Sequence, residues 1–238
     1  GPFITNSGSS WNSVILKSFA IDGDVASSGS VYIDFSSGMN LNLVDIMLSG
    51  CSTDSIILND IEDVIIDRVR IFKTLSFGLK AININDMILT KSKINPNILE
   101  SGITNLGCFK FDNVTESTVT DCQFRKGGYN GAVVTNSNNN TFRNNKFYNN
   151  VINNTDVGVH MKVENESNYN NFIGNEFRLN KSGSDPRSCI AIDTADCDQN
   201  LISGNDGLNS ISKGTTYIDS GTGTSFGQGN RQNDGTWS

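Results

Sequence analysis

Few side chains in this sequence could do chemistry. Glu164, Asp193 and Asp196 stand at a spacing that suits successive turns of a repeating chain. Glycoside hydrolysis needs two carboxyl groups, about 5 to 5.5 Å apart for retention and about 6.5 to 9.5 Å for inversion. One keeps its proton for the leaving oxygen while the other activates water or attacks. Repulsion between neighbouring carboxylates separates the two and permits that division of labour. His160 is the single histidine and a candidate general base for a hydrolase or a lyase. Around these stand groups that could hold a sugar chain. Lys110, Asp112, Lys162 and Arg187 bring charge, Tyr129 and Tyr169 bring faces on which sugar rings stack, and asparagines offer both donors and acceptors to hydroxyls. Outward acids on an acidic protein are most often solvated surface charge, so every one of these assignments depends on the elements that position it.

Those elements repeat. The segments NSVILKSFAI, LNLVDIML, DVIIDRVRI, DMILTKSKI, ESTVTDCQF, NNTFRNNKF, YNNFIGNEF and QNLISGNDG share one register. Its apolar anchors are Leu16, Leu43, Ile66, Leu89, Val119, Phe142, Phe172 and Ile202, and a second apolar position follows five residues later, from Ile21 to Phe177. About ten residues before each anchor lies a short alternating segment, such as VYIDF, SIILN, CFKFDN or CIAID. Alternation over so few residues is the signature of a half-buried strand. A unit of short strands cannot bury its own apolar side, so copies must stack and pair strand on strand. The register fades after Gly207, and residues 221–238 read as a cap or tail. Asp60, Asn83, Asp112 and Asn136 occupy corresponding turn positions, where Asn and Asp form turns and side-chain ladders. Parity along the strands then sets facing. Val159, Met161 and Val163 point inward, which leaves His160, Lys162 and Glu164 outward, together with Lys110, Asp112 and Asp193 of other turns.

Composition agrees. The 238 residues include 33 Asn, 28 Ser and only 6 Ala, which nearly excludes an all-helical protein. The net charge of −7 argues against a nucleic-acid backbone as partner. No apolar run approaches the roughly 18 residues of a membrane helix. Cys51, Cys108, Cys122, Cys189 and Cys197 show no metal-binding spacing and read as buried thiols; no metal and no cofactor are expected. Gly1-Pro2 reads as the scar of a removed tag, with residues 1–11 as an entry segment and residues 12–220 as the repeat domain.

The N-x-[FI]-x-[GN]-N register of NTFRNN, NNFIGN and NLISGN resembles the right-handed parallel β-helix of the pectin-lyase-like group. The resemblance implies an all-β chain of about eight coils. The nearest likeness is to phage tailspike domains, and Glu164 with Asp193 and Asp196 looks like the one-Glu, two-Asp set of some tailspike endoglycosidases. It implies a homotrimer on a virion tail, or an extracellular protein, that binds bacterial surface polysaccharide and, if catalytic, hydrolyses it. Two alternatives stay open: a non-catalytic receptor-binding module, and a secreted bacterial polysaccharide lyase or adhesin, for which Lys110, Lys162 and His160 would supply charge neutralisation and base.

Overall fold

The computed structural model describes residues 3–6, 10–23, 31–96, 106–150, 158–178, 188–207, 216–232 and 236. All named strands pair in parallel, each with its counterpart one coil away. The chain is an all-β right-handed parallel β-helix. The anchor column is continuous: Leu16 faces Leu43, then Ile66, Leu89, Val119, Phe142, Phe172 and Ile202. Eight anchors enclose seven steps, so this column spans about seven turns. It also runs past Gly207, where the sequence register fades: Ile202 pairs with Phe226 and Asp206 with Arg231.

Each coil has three faces. The first sheet carries Gly107–Thr115, Asn130–Thr135, Met161–Glu164 and Ile190–Ile192. The second carries Thr118–Thr120, Thr141–Arg143 and Asn171–Ile173. The third carries Arg70–Thr74, Lys93–Asn95, Gln123–Arg125 and Lys146–Tyr148. In the N-terminal coils one strand bends through the corners without a break, as in Ile33–Cys51. The corners need left-handed backbone, which Asn and Asp tolerate. Asp60, Asn83, Asn113, Asn136 and Asn165 hold φ between 49° and 56° in one such column. The expected outer ladder is there, displaced by one residue at a single rung. Asn83 donates to Asp60 at 2.8 Å, and Asn113, not Asp112, donates to Asn83 at 2.8 Å. Asp112 pairs with Ile82 on the strand itself and faces outward, yet it still accepts from the Asn136 amide at 3.3 Å, as the expected ladder requires.

The interior is apolar at the strands and polar at two corners. Phenylalanine fills the C-terminal half: Phe142 and Phe172 stack with centroids 5.1 Å apart, as do Phe147 and Phe177. Two asparagine columns run inside the corners at 0% exposure: Asn140, Asn170 and Asn200, and Asn145, Asn175, Asn205 and Asn230. Each side-chain oxygen accepts the backbone N–H of the coil below, and each amide donates to a carbonyl one coil back. These bonds satisfy backbone groups that a tight corner would otherwise orphan in the core.

All five cysteines are buried, and none forms a disulfide. Desolvation pushes the Cys122 thiol up to about 12 and the Cys108 thiol higher still. Only a thiolate attacks disulfide reagents. The folded protein should therefore show no thiol titrating with a disulfide reagent at pH 8, and all five after denaturation. One or more fast thiols in the native protein would contradict the packing.

Candidate functional site

The first sheet gathers half of the predicted site. Its strands bury alternate residues, so Lys162 and Glu164 point outward between inward Met161 and Val163. Ile192 pairs with Val163, and the Asp193 N–H donates to the Val163 carbonyl at 2.8 Å, which sets Asp193 beside Glu164 on the next coil. Lys162 Nζ lies 2.5 Å from Glu164 Oε2 and 3.8 Å from Asp193 Oδ2. Those two oxygens are therefore at most about 6 Å apart, which is within reach of the carboxyl pairs of glycosidases. The three side chains are only about a quarter exposed, between 22% and 28%. Lys110 and Asp112 stand on the same face two coils earlier, ion-paired with each other at 3.0 Å. Val133 and Thr135 occupy the coil between. Down this face the two outward columns thus read Lys110, Val133, Lys162 and Asp112, Thr135, Glu164.

Other predicted residues lie apart. Asp196 is exposed in the turn after Asp193, and the Thr194 hydroxyl beside it holds its carboxyl below the usual range. It belongs to the corner near the Glu166 backbone rather than to the sheet face. Tyr129 sits half-buried in the bend that enters the first sheet, and Tyr169 is 51% exposed at the corner that leaves it. The two aromatics therefore flank opposite edges of the face. Tyr169 holds φ 56°, in the corner column of Asn139 and Gln199. A bulky side chain there is strained where Asn would not be. Arg187 lies outside the described residues.

His160 is a correction. It was expected outward by parity, but it is 0% exposed. The strand starts only at Met161, and His160 occupies the preceding bend, where alternation does not apply. Its ring packs 5.7 Å from Phe177, and its Nδ1 lies 3.2 Å from the Asn150 amide. Asn150 is itself fixed by the Gly127 N–H and the Phe124 carbonyl. His160 thus belongs to the core and cannot meet a substrate as a base.

The third sheet holds a surface that the reading of the sequence missed. Across four consecutive coils its outward positions are Arg70 and Phe72, Lys93 and Asn95, Gln123 and Arg125, then Lys146 and Tyr148. Those eight positions hold four cations, two aromatics, two amides and no acid. The signal was present in the register, four and six residues after each anchor, but it emerges only when the outward positions of successive units are stacked.

No protein-family model matches the sequence, and neither does any curated protein. Among solved structures, the chain is similar to a mutant of DFA-IIIase from Arthrobacter chlorophenolicus A6 in complex with DFA-III. The TM-score is 0.42 at 18% identity, over 88% of this chain and 48% of that one. This chain thus spans about half the length of that protein, and a likeness so distant transfers neither residues nor chemistry.

Proposed function

We propose that this chain is a polysaccharide-binding β-helix of the phage tailspike type, which holds a bacterial surface glycan across its first sheet. The supporting observation is the shared face of Lys110, Asp112, Lys162, Glu164 and Asp193, edged by Tyr129 and Tyr169. Rigid strands fix these groups in rows about 4.8 Å apart, a rise close to the length that one pyranose adds to a chain. Charged and amide groups can bond sugar hydroxyls, and the flanking rings can take their apolar faces. The strain at Tyr169 supports a role for that ring, since a residue kept in a costly conformation is often kept for function.

Binding is favoured over cleavage by the placement of Lys162. Its ammonium stands between the two carboxylates that an endoglycosidase would use as acid and as base or nucleophile. A general acid is ordinarily held protonated by apolar surroundings or by an unneutralised acidic neighbour. The endoglycosidase reading rests on the short separation of Glu164 and Asp193, and one assay separates the two. A panel of immobilised bacterial surface polysaccharides should show saturable retention of the protein and no soluble oligosaccharide. Lys162→Ala and Tyr169→Asn should each weaken retention about tenfold, the loss of one good polar or aromatic contact. Oligosaccharide release that disappears in Glu164→Gln and Asp193→Asn would establish the hydrolase instead. An unsaturated product absorbing in the ultraviolet would establish a lyase. Absence of retention on every glycan would remove the proposal.

A further inference from the structure

The basic face of the third sheet is independent of the first-sheet site, and we infer that it is a second binding site, for an anionic polysaccharide that carries carboxylate groups. The protein as a whole is acidic, at −7, yet this strip carries Arg70, Lys93, Arg125 and Lys146 with no acid at an outward position from the Arg70 coil to the Tyr148 coil. Among the described residues, Arg70, Lys93 and Arg125 have no carboxylate partner. Two of the cations lie over aromatic rings instead: Lys93 Nζ is 5.8 Å from the Phe72 ring centre, and the Arg125 guanidinium is 5.8 Å from that of Tyr148. Each pair offers an apolar plate with a positive head beside it. A ring-shaped ligand bearing a negative charge would use both, stacking on the plate and pairing with the head.

The relief of the face agrees. A pocket lies on it, lined by Met47, Phe72, Lys73 and Asn95 among others. A second runs beside it, past Met47, Arg70 and Lys91. Met47 lines both; Asp22 marks the N-terminal edge of the first, and in the second Asp45 is taken up by Arg68, which leaves Arg70 and Lys91 as its cations. Asn95 and Gln123 place amides among the charges, able to donate to or accept from hydroxyls.

The ends of the strip set its length. Towards the C-terminal coils it closes on a network in which Glu176 reaches Lys146 at 3.4 Å and Arg178 at 3.3 Å, and Asp206 holds Arg178. Towards the N-terminal coils it closes on Asp22, Met47 and Ser49. The open stretch covers three coil steps, about 14 Å at the usual strand separation. That accommodates a few sugar units. A nucleic acid would extend its phosphates beyond the strip over the acids at both ends, on a protein of net negative charge, which is unfavourable. An acidic glycan presents fewer charges, hydroxyls for the amides, and ring faces for Phe72 and Tyr148.

Retention of the intact chain on immobilised alginate, as a carboxylated polysaccharide, tests the inference against neutral dextran and a single-stranded oligonucleotide. Expected is saturable binding to alginate that weakens steeply with added salt, with dextran unbound on this face. Arg70→Gln combined with Lys93→Gln should weaken alginate binding at least about tenfold, and Phe72→Ala should weaken it several-fold. Arg70 is exposed and Lys93 partly so, and an unchanged melting temperature confirms that the double variant folds. Asn171→Ala, on the second sheet and outside both proposed sites, should leave alginate binding as it was. Equal binding of alginate and dextran, indifference to the Arg70 and Lys93 changes, or tighter binding of the oligonucleotide than of alginate would each overturn the inference. The Arg70 and Lys93 double variant separates this face from the first sheet, whose own glycan binding it should leave intact.

Discussion

Asn175→Ala should destabilise the protein by about 4 kcal/mol and lower its melting temperature by roughly 10 °C, read by thermal or denaturant unfolding. The Asn175 side chain is a hub within the wall of the helix. Its oxygen accepts from the Asn145 backbone N–H at 3.0 Å and from the Asn145 amide at 3.1 Å. Its own amide donates to the Phe142 carbonyl at 2.9 Å and to the Asn205 oxygen at 3.0 Å. Alanine would leave those groups without partners at a site with 0% exposure. Each buried orphan costs about 1 to 3 kcal/mol, and relaxation around the gap recovers part of the sum. Four residues earlier, Asn171 lies on the strand with its side chain outward and partly exposed. Asn171→Ala should change stability by no more than about 0.5 kcal/mol. Similar losses at the two asparagines would mean that the inner ladder carries no special weight.

Phe142→Ala should cost about as much, 3 to 5 kcal/mol, for a different reason. Phe142 packs against Phe172 at 5.1 Å, Phe111 at 5.8 Å and Phe109 at 6.2 Å. Removing the ring opens a cavity within a column that cannot collapse, because each coil is pinned by hydrogen bonds to the coils on both sides. Phe142→Leu keeps most of the volume and should cost about 1.5 kcal/mol or less. Urea unfolding of the two variants distinguishes this from a loosely packed interior, in which alanine and leucine would cost nearly the same.

The fold was legible because its cause is periodic. An anchor that recurs in every unit must fall in one column if the units stack, and from Leu16 to Ile202 each anchor pairs with the next. The continuation to Phe226 was not legible, since the last turn keeps the pairing but sets Asp219 beside Ile192 and Ser225 beside Leu201. The corner expected at Asp112 falls on Asn113, although the tie of Asp112 to Asn136 holds, because Asp and Asn are chemically alike there and only the pairing of Ile82 with Asp112 decides which of two neighbours turns. His160 was misread because parity was carried past the end of its strand. The buried asparagines were not singled out in the sequence, though three of them lie three residues after the anchors Phe142, Phe172 and Ile202, a spacing that already marks them as a column.

The candidate site was legible to the extent that strand alternation holds. Lys110, Asp112, Lys162, Glu164 and Asp193 share a face because each has inward neighbours on both sides or follows one in register. Asp196 was grouped with them by proximity in sequence, but a turn intervenes and takes it to the corner. That Lys162 would bridge Glu164 and Asp193 could not be read from spacing, because it depends on side-chain reach between coils.

The central claim is that the first sheet presents Lys162, Glu164 and Asp193 to a sugar chain. A crystal structure of the protein with an oligosaccharide cut from the polysaccharide it retains tests this most directly. Sugar density should lie over the outward columns from Lys110 to Asp193, within hydrogen-bond distance of Lys162 and against Tyr169 or Tyr129. Ordered sugar found only elsewhere on the molecule, with the Lys162 ion pairs bare, would contradict it.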